Sequence, residues 1–135
     1  MRCLIDANII LDVLSNRDIF VDDSSKIWKL CEVGQIEGYV SVLAFANLVY
    51  VLRKELDSEA IKRTLDALKL IFKFTELNET DLSDAVALKW NDFEDALQSV
   101  TASRIKADCI ITRNLKDYIN SSVIAFTPSE LLARI

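Results

Sequence analysis

Asp6, Asp95 and Asp117 each stand where an apolar, strand-like run ends or a helix begins, and the 135-residue chain contains no histidine. The stretches are Cys3-Leu4-Ile5-Asp6-Ala7-Asn8, Asn91-Asp92-Phe93-Glu94-Asp95-Ala96-Leu97 and Ile110-Ile111-Thr112-Arg113-Asn114-Leu115-Lys116-Asp117-Tyr118. In a sheet flanked by helices, segments leaving the carboxyl ends of the strands gather at one edge, and sites form there. Carboxylates converging at that edge repel one another unless a cation sits between them. An all-oxygen cluster favours Mg²⁺ or Mn²⁺ over zinc or copper. The chemistry this predicts is metal-dependent cleavage of a phosphodiester.

Each of these residues also has a plainer role open to it. Asp6 follows an apolar run and precedes a helix, so it suits a helix cap as well as a carboxylate held at the sheet edge. Asp92 and Asp95 are three apart and share a helix face, while Glu94 points elsewhere. Asp92 is placed to be the N-cap. Asp95 lies one turn in and borders Ala96 and Leu97, where the helix dipole favours an anion. Thr112 and Asn114 leave a strand and can hydrogen-bond a neighbouring carboxylate or metal-bound water. Asp117 can reach the site directly, or serve as a loop residue. Arg104, Lys106, Arg113 and Lys116 flank the same strand, and Arg53 and Lys54 end an apolar helix, which supplies cations for a phosphate backbone or a solvated rim.

Composition removes other chemistries. Without histidine there is no Ser-His-Asp or Cys-His system and no His-ligated zinc. Two glycines, Gly34 and Gly38, cannot write a P-loop or a dinucleotide fingerprint. The net charge of −5 argues against a protein that coats nucleic acid non-specifically, though not against an enzyme with a local basic rim. Cys3, Cys31 and Cys109 are odd in number, far apart and set in apolar surroundings, as buried free thiols of a reducing compartment are. No apolar run approaches the ~20 residues of a membrane span, and Asp6 comes too early for the apolar core of a signal peptide. A cytoplasmic location with no membrane association follows as the expectation.

The elements that must position these residues are legible as alternating strands and helices. Residues 2–5, 38–41, 74–77, 109–112 and 123–126 read as short strands. Helices are predicted from Asn8, from Ser24 or Ser25 to Gly34, over 43–56, from Ser58, from about Thr80 and near Asp92. Thr127-Pro128-Ser129-Glu130 carries a cap, a proline at the first helical position and a glutamate three residues after the cap, so it starts a last helix. With no repeat, no low-complexity stretch and no linker, residues 1–135 read as one domain. The fold class is α/β: a single-domain α/β/α sandwich with a central, mostly parallel sheet.

Taken together, Leu4-Ile5-Asp6-Ala7-Asn8 with Leu11-Asp12, Ser41 and the helix through Asn47, the Asp92–Leu97 segment and Thr112–Tyr118 resemble the PIN domain family, whose members include VapC-type toxin ribonucleases. The resemblance covers essentially the whole chain. It implies a metal site of Asp6, Asp95 and the Asn114/Asp117 turn, with Asn47 as a further ligand and Asn8, Asp92 and Thr112 in support. It also implies Mg²⁺ or Mn²⁺, an RNA substrate contacted by Arg113 and Lys116, 5′-phosphate products, a homodimer and inhibition by a small antitoxin. Two positions depart from the family pattern. Asn47 stands where a glutamate is common, and Asn114 where an aspartate is, so each keeps an oxygen and loses a charge. Two other readings remain open: a non-catalytic PIN-like module binding RNA or protein, and a phospho-acceptor receiver domain. The second is disfavoured because Asp6 stands alone after its strand and residues 39–42 contain no acid.

Overall fold

A computed structural model describes all of residues 1–135. Its five strands are β1 (Arg2–Ile5), β2 (Glu37–Ser41), β3 (Lys73–Thr75), β4 (Cys109–Ile111) and β5 (Ala125–Phe126). They form one sheet in the order β3-β2-β1-β4-β5, with every pair parallel. The helices are α1 (Ala7–Leu14), α2 (Val21–Glu32), α3 (Val42–Leu52), α4 (Ser58–Ile71), α5 (Glu79–Leu88), α6 (Phe93–Arg104) and α7 (Pro128–Leu132). A 3₁₀ turn spans Leu115–Tyr118.

Both faces of the sheet are covered, which is why β1 and β4 are continuous apolar runs and not alternating ones. Their side chains still alternate between layers. Cys3, Ile5, Cys109 and Ile111 face a core shared with α1, α2, α3, α4 and α7, through residues such as Ile9, Ile27, Leu48, Leu68 and Leu131. Leu4 and Ile110 point the other way, against Ala102 and Ile105 at the end of α6 and Tyr118 of the 3₁₀ turn. Ala85 of α5 packs on Ala96 and Leu97 of α6 to complete that second layer. The expected α/β/α class and mostly parallel sheet are borne out.

The boundaries differ from expectation in informative places. α2 begins at Val21 and not at Ser24 or Ser25, because Ser24 is buried and its hydroxyl donates to Asp12 Oδ2 at 3.1 Å in place of capping a helix. α3 ends at Leu52, and Asp57 caps the following helix at the Ala60 amide. β3 lies a residue or more earlier than expected, and β5 is only Ala125–Phe126. Gly34 does close α2, at φ +81°, and Thr127 and Glu130 form the expected capping box. The three cysteines are free and buried.

Chain direction reverses between β1 and β4. From β1 the chain moves through α1 and α2 to β2, while from β4 it moves outward to β5. That makes the β1/β4 carboxyl edge the switch point where an open α/β sheet leaves a crevice. The two strands are locked there by the Asp6 amide, which donates to the Ile111 carbonyl at 3.0 Å.

Candidate active site

Asp6 is the first residue beyond β1, and its position is set by bonds from three directions. It caps α1, with Oδ1 accepting from the Ala7 amide at 2.8 Å. Oδ2 accepts from Thr112 Oγ1 at 2.8 Å and, more weakly, from Asn8 Nδ2 at 3.4 Å. The cap and the sheet-edge carboxylate are therefore one residue doing both jobs. Thr112, fully buried at the end of β4, also accepts the Asn114 amide at 3.1 Å, so one hydroxyl couples Asp6 to the turn that carries Asp117. Burial raises the Asp6 pKa, the Thr112 and Ala7 hydrogen bonds and the Arg113 charge oppose that rise, and the Asp117 charge adds to it.

Asp95 arrives from the other layer. Asp92 caps α6, accepting the Asp95 amide at 3.1 Å, and this sets the first turn from which Asp95 projects. Burial, followed by the charges of Asp92, Asp117 and Asp6, pushes the Asp95 pKa up to about 6. Tyr118 reaches Asp95 Oδ1 at 3.4 Å, and burial beside Asp6 and Asp95 holds its phenol protonated far above the ordinary range. Asp6, Asp95 and Asp117 thus bear on one another electrostatically, from β1, α6 and the 3₁₀ turn. They do not close into a ready-made cluster of three or more groups arranged to hold a metal ion.

The donor set nevertheless fits a hard cation. Its members are carboxylate and amide oxygens, which suit Mg²⁺ or Mn²⁺. The Asn8 Oδ1 atom is buried with no hydrogen-bond partner. Burial and then the charges of Asp92, Asp117 and Asp6 raise Asp95, and a bound divalent ion would relieve the repulsive part.

Asn47 lies on α3 and donates from Nδ2 to Glu94 Oε2 at 3.0 Å. Sequence spacing set Glu94 apart from the site, and the fold turns it toward Asn47 instead. Helix periodicity orders residues on one helix and is silent about a second helix alongside. Asn114 is exposed at the start of the 3₁₀ turn, where its backbone, not its carboxamide, is bonded within the turn. Lys116 is exposed and lines the same cleft as Asp92, Asp95 and Asp117.

Arg53, Arg104 and Arg113 have partners of their own. Arg113 Nε lies 3.0 Å from Oδ2 of Asp12, a fully buried acid of α1, and its guanidinium stacks 4.1 Å from the Phe20 ring. Arg17 approaches the same acid at 3.6 Å. Arg104 Nε bonds both oxygens of the buried Asp81 at 2.9 and 3.1 Å. Arg53 covers Tyr50. Asp12 and Tyr118 went unassigned in the sequence reading. Asp12 did leave a signal, since it interrupts the apolar run Ile9-Ile10-Leu11-Asp12-Val13-Leu14, and an acid there needs a buried partner.

Five parallel strands with helices on both faces define a doubly wound α/β protein, with Asp6 at its β1/β4 switch point and Asp95 and Asp117 on one cleft. The PIN domain family model matches residues 2–116, and the chain belongs to the PIN domain family. Among solved structures, a toxin-antitoxin complex from Klebsiella pneumoniae is 23% identical with a TM-score of 0.72, over 93% of this chain and 97% of that one. VapBC2 from Rickettsia felis, bound to a DNA fragment from its promoter, is 16% identical with a TM-score of 0.73, over 94% and 98%. VapC20 of Mycobacterium tuberculosis, a toxin that cleaves the sarcin-ricin loop, is 9% identical with a TM-score of 0.64, over 80% and 86%. A comparison with curated protein sequences finds no match.

Proposed function

We propose that the protein is an Mg²⁺- or Mn²⁺-dependent endoribonuclease and the toxin of a toxin–antitoxin pair. The observation that supports this reading is the placement of Asp6 at the β1/β4 carboxyl edge, tied to Thr112 at 2.8 Å, with Asp95 and Asp117 lining one cleft. PIN domains are nucleases in general, and the structural neighbours include toxin–antitoxin complexes and a toxin that cleaves RNA.

Asp6, Asp95 and Asp117 would hold the ion, with Asn114 and Asn47 as neutral oxygen donors nearby. When bound, such an ion activates water and offsets charge on the phosphate and the leaving oxygen. The chain's own contribution is positional. Thr112 and Asn8 hold the Asp6 carboxylate in one orientation, and Tyr118 steadies Asp95. Lys116 sits on the rim of the cleft, where an ammonium contacts the phosphate backbone. Arg113 is held by Asp12, which makes it an anchor for the Thr112–Asp117 turn before it is a phosphate contact.

A groove of about 360 Å³ between α1, α2 and α4, lined by Leu14, Trp28, Leu56 and Ala60, suits the apolar helix of an antitoxin. Exposed Val42, Tyr50 and Val51 on α3 offer a surface for a second copy of the chain. No helix is long and apolar enough to cross a membrane.

The test is calorimetric Mn²⁺ binding to wild type and Asp6→Asn, run beside RNA cleavage with and without metal. Binding and cleavage that vanish together in the variant support the metal-dependent ribonuclease. A folded wild type lacking both supports the non-catalytic RNA-binding or protein-binding module, which the uncharged Asn47 and Asn114 and the open spacing of the acids favour.

A further inference from the structure

A cleft of about 480 Å³ is lined by Asp92, Asp95 and Asp117 on its acidic side and by Lys89, Trp90, Asn91, Lys116 and Asn120 elsewhere. We infer that this cleft is a subsite for one nucleotide of single-stranded RNA, with Lys89 and Lys116 on its phosphate and Trp90 and the two carboxamides beside its base. The inference rests on the ribonuclease reading and deepens it by naming the substrate unit and the residues that take it.

The volume accommodates a nucleotide. The two lysines take part in none of the chain's ion pairs, so their ammonium groups are available. Trp90 is half-buried and packs edge-on against Tyr118, with ring centroids 6.4 Å apart. Tyr118 in turn bonds Asp95, which fixes the indole relative to the acids. Proteins read unpaired bases by stacking on aromatic rings and by hydrogen bonds to base edges, which carboxamides supply in both senses. Two unpaired lysines beside an aromatic and two amides, next to acids that would hold a cation, are therefore nucleotide chemistry.

The backbone of Lys89 supplies a clean way to test its side chain. It ends α5 at φ 59°, a left-handed conformation that glycine adopts without cost and a lysine does not. Glycine there would relieve the strain and remove the charged side chain from the cleft. Lys106 shares the conformation at φ 57° but follows the far end of α6, away from Asp95. It provides the control.

Nucleoside 5′-monophosphates are suitable probes because they contain no phosphodiester to cleave. The chain has two tryptophans, and Trp28 sits in the opposite layer against Phe72, 5.2 Å between centroids. Titrating UMP or AMP into the full chain, with and without Mg²⁺, should move the Trp90 indole N–H resonance and leave that of Trp28 in place; Trp28→Phe assigns the signals. Lys89→Gly should keep or raise stability and weaken nucleotide binding by about five- to tenfold, the loss of one charge-assisted contact. Lys106→Gly should leave binding unchanged. A stationary Trp90 signal in both conditions overturns the subsite, as do equal affinities in the two glycine variants. Inorganic phosphate moving Trp90 as strongly as the nucleotides would overturn the role given to the base. If Mn²⁺ binding and cleavage depend on Asp6 while Trp90 stays still, the subsite fails and the ribonuclease stands. If Trp90 responds but no metal binds and no RNA is cleaved, the subsite belongs to a non-catalytic RNA-binding domain.

Discussion

Replacing Asp95 with asparagine should make the metal-free protein more stable, although it should abolish metal-dependent cleavage. An acid whose pKa rises from 3.8 to about 6 on folding is bound more tightly by protons in the folded state. The folded state is therefore penalised at neutral pH, by up to about 3 kcal/mol if the full difference counted. Asp95 is only half-buried, and solvent screening reduces the figure to about 1 kcal/mol. Its place in the first turn of α6 favours the anion by a few tenths of a kcal/mol, roughly, which does not reverse the sign. Asparagine keeps an oxygen for the Tyr118 hydroxyl and nearly the same volume. At pH 7.5, Asp95→Asn should thus melt about 3–4 °C above wild type in EDTA, by scanning calorimetry. The penalty is fully present above pH 6, fades as pH falls through the folded value, and is gone below 3.8, so the difference should shrink on acidification. Saturating Mg²⁺ should narrow or reverse it by stabilising wild type alone. A lower melting point for the variant at pH 7.5 in EDTA, or a difference that does not change with pH, would refute the idea that burial and the neighbouring acids disfavour the Asp95 anion.

Asp12→Asn removes a buried anion from between Arg113, Arg17 and Ser24, leaving Arg113 with a neutral partner; unfolding in urea should show a loss of about 3–5 kcal/mol. Thr112→Val deletes the hydroxyl that donates to Asp6 and accepts from Asn114 while preserving shape. Mn²⁺ affinity measured by calorimetry should fall about 10- to 100-fold with the secondary structure intact, and an unchanged affinity would remove Asp6 or its orientation from the site.

How much of this was visible in the sequence follows from which interactions are local. β1, β4 and the caps at Asp92 and Thr127 were legible because apolar runs, cap residues and turn chemistry act within a few positions. So was the gathering of Asp6 and Thr112, because parallel strands bring their carboxyl ends together whatever loops connect them. The start of α2 was misread because Ser24 has two suitable partners, a helix amide and a distant acid. Only the fold shows that Asp12 lies within 3.1 Å. The same applies to Arg113 and Arg104, whose pairing with the buried acids Asp12 and Asp81 no local pattern announces.

The case of Asn47 and Glu94 is more instructive, because spacing along one helix places Glu94 off the Asp95 face and says nothing of the helix it meets. Spacing does separate Glu94 from Asp95 on α6, and Asp95 alone of the two lines the acidic cleft. Yet the direction away from one acid is the direction of α3, where Asn47 donates to Glu94 at 3.0 Å. An acid at Asn47 would face Glu94 there, and like charges on adjoining helices repel. In this chain, then, the neutral amide at 47 is consistent with the charge at 94. The departure from the family pattern is a coupled arrangement of two helices, not a single lost carboxylate.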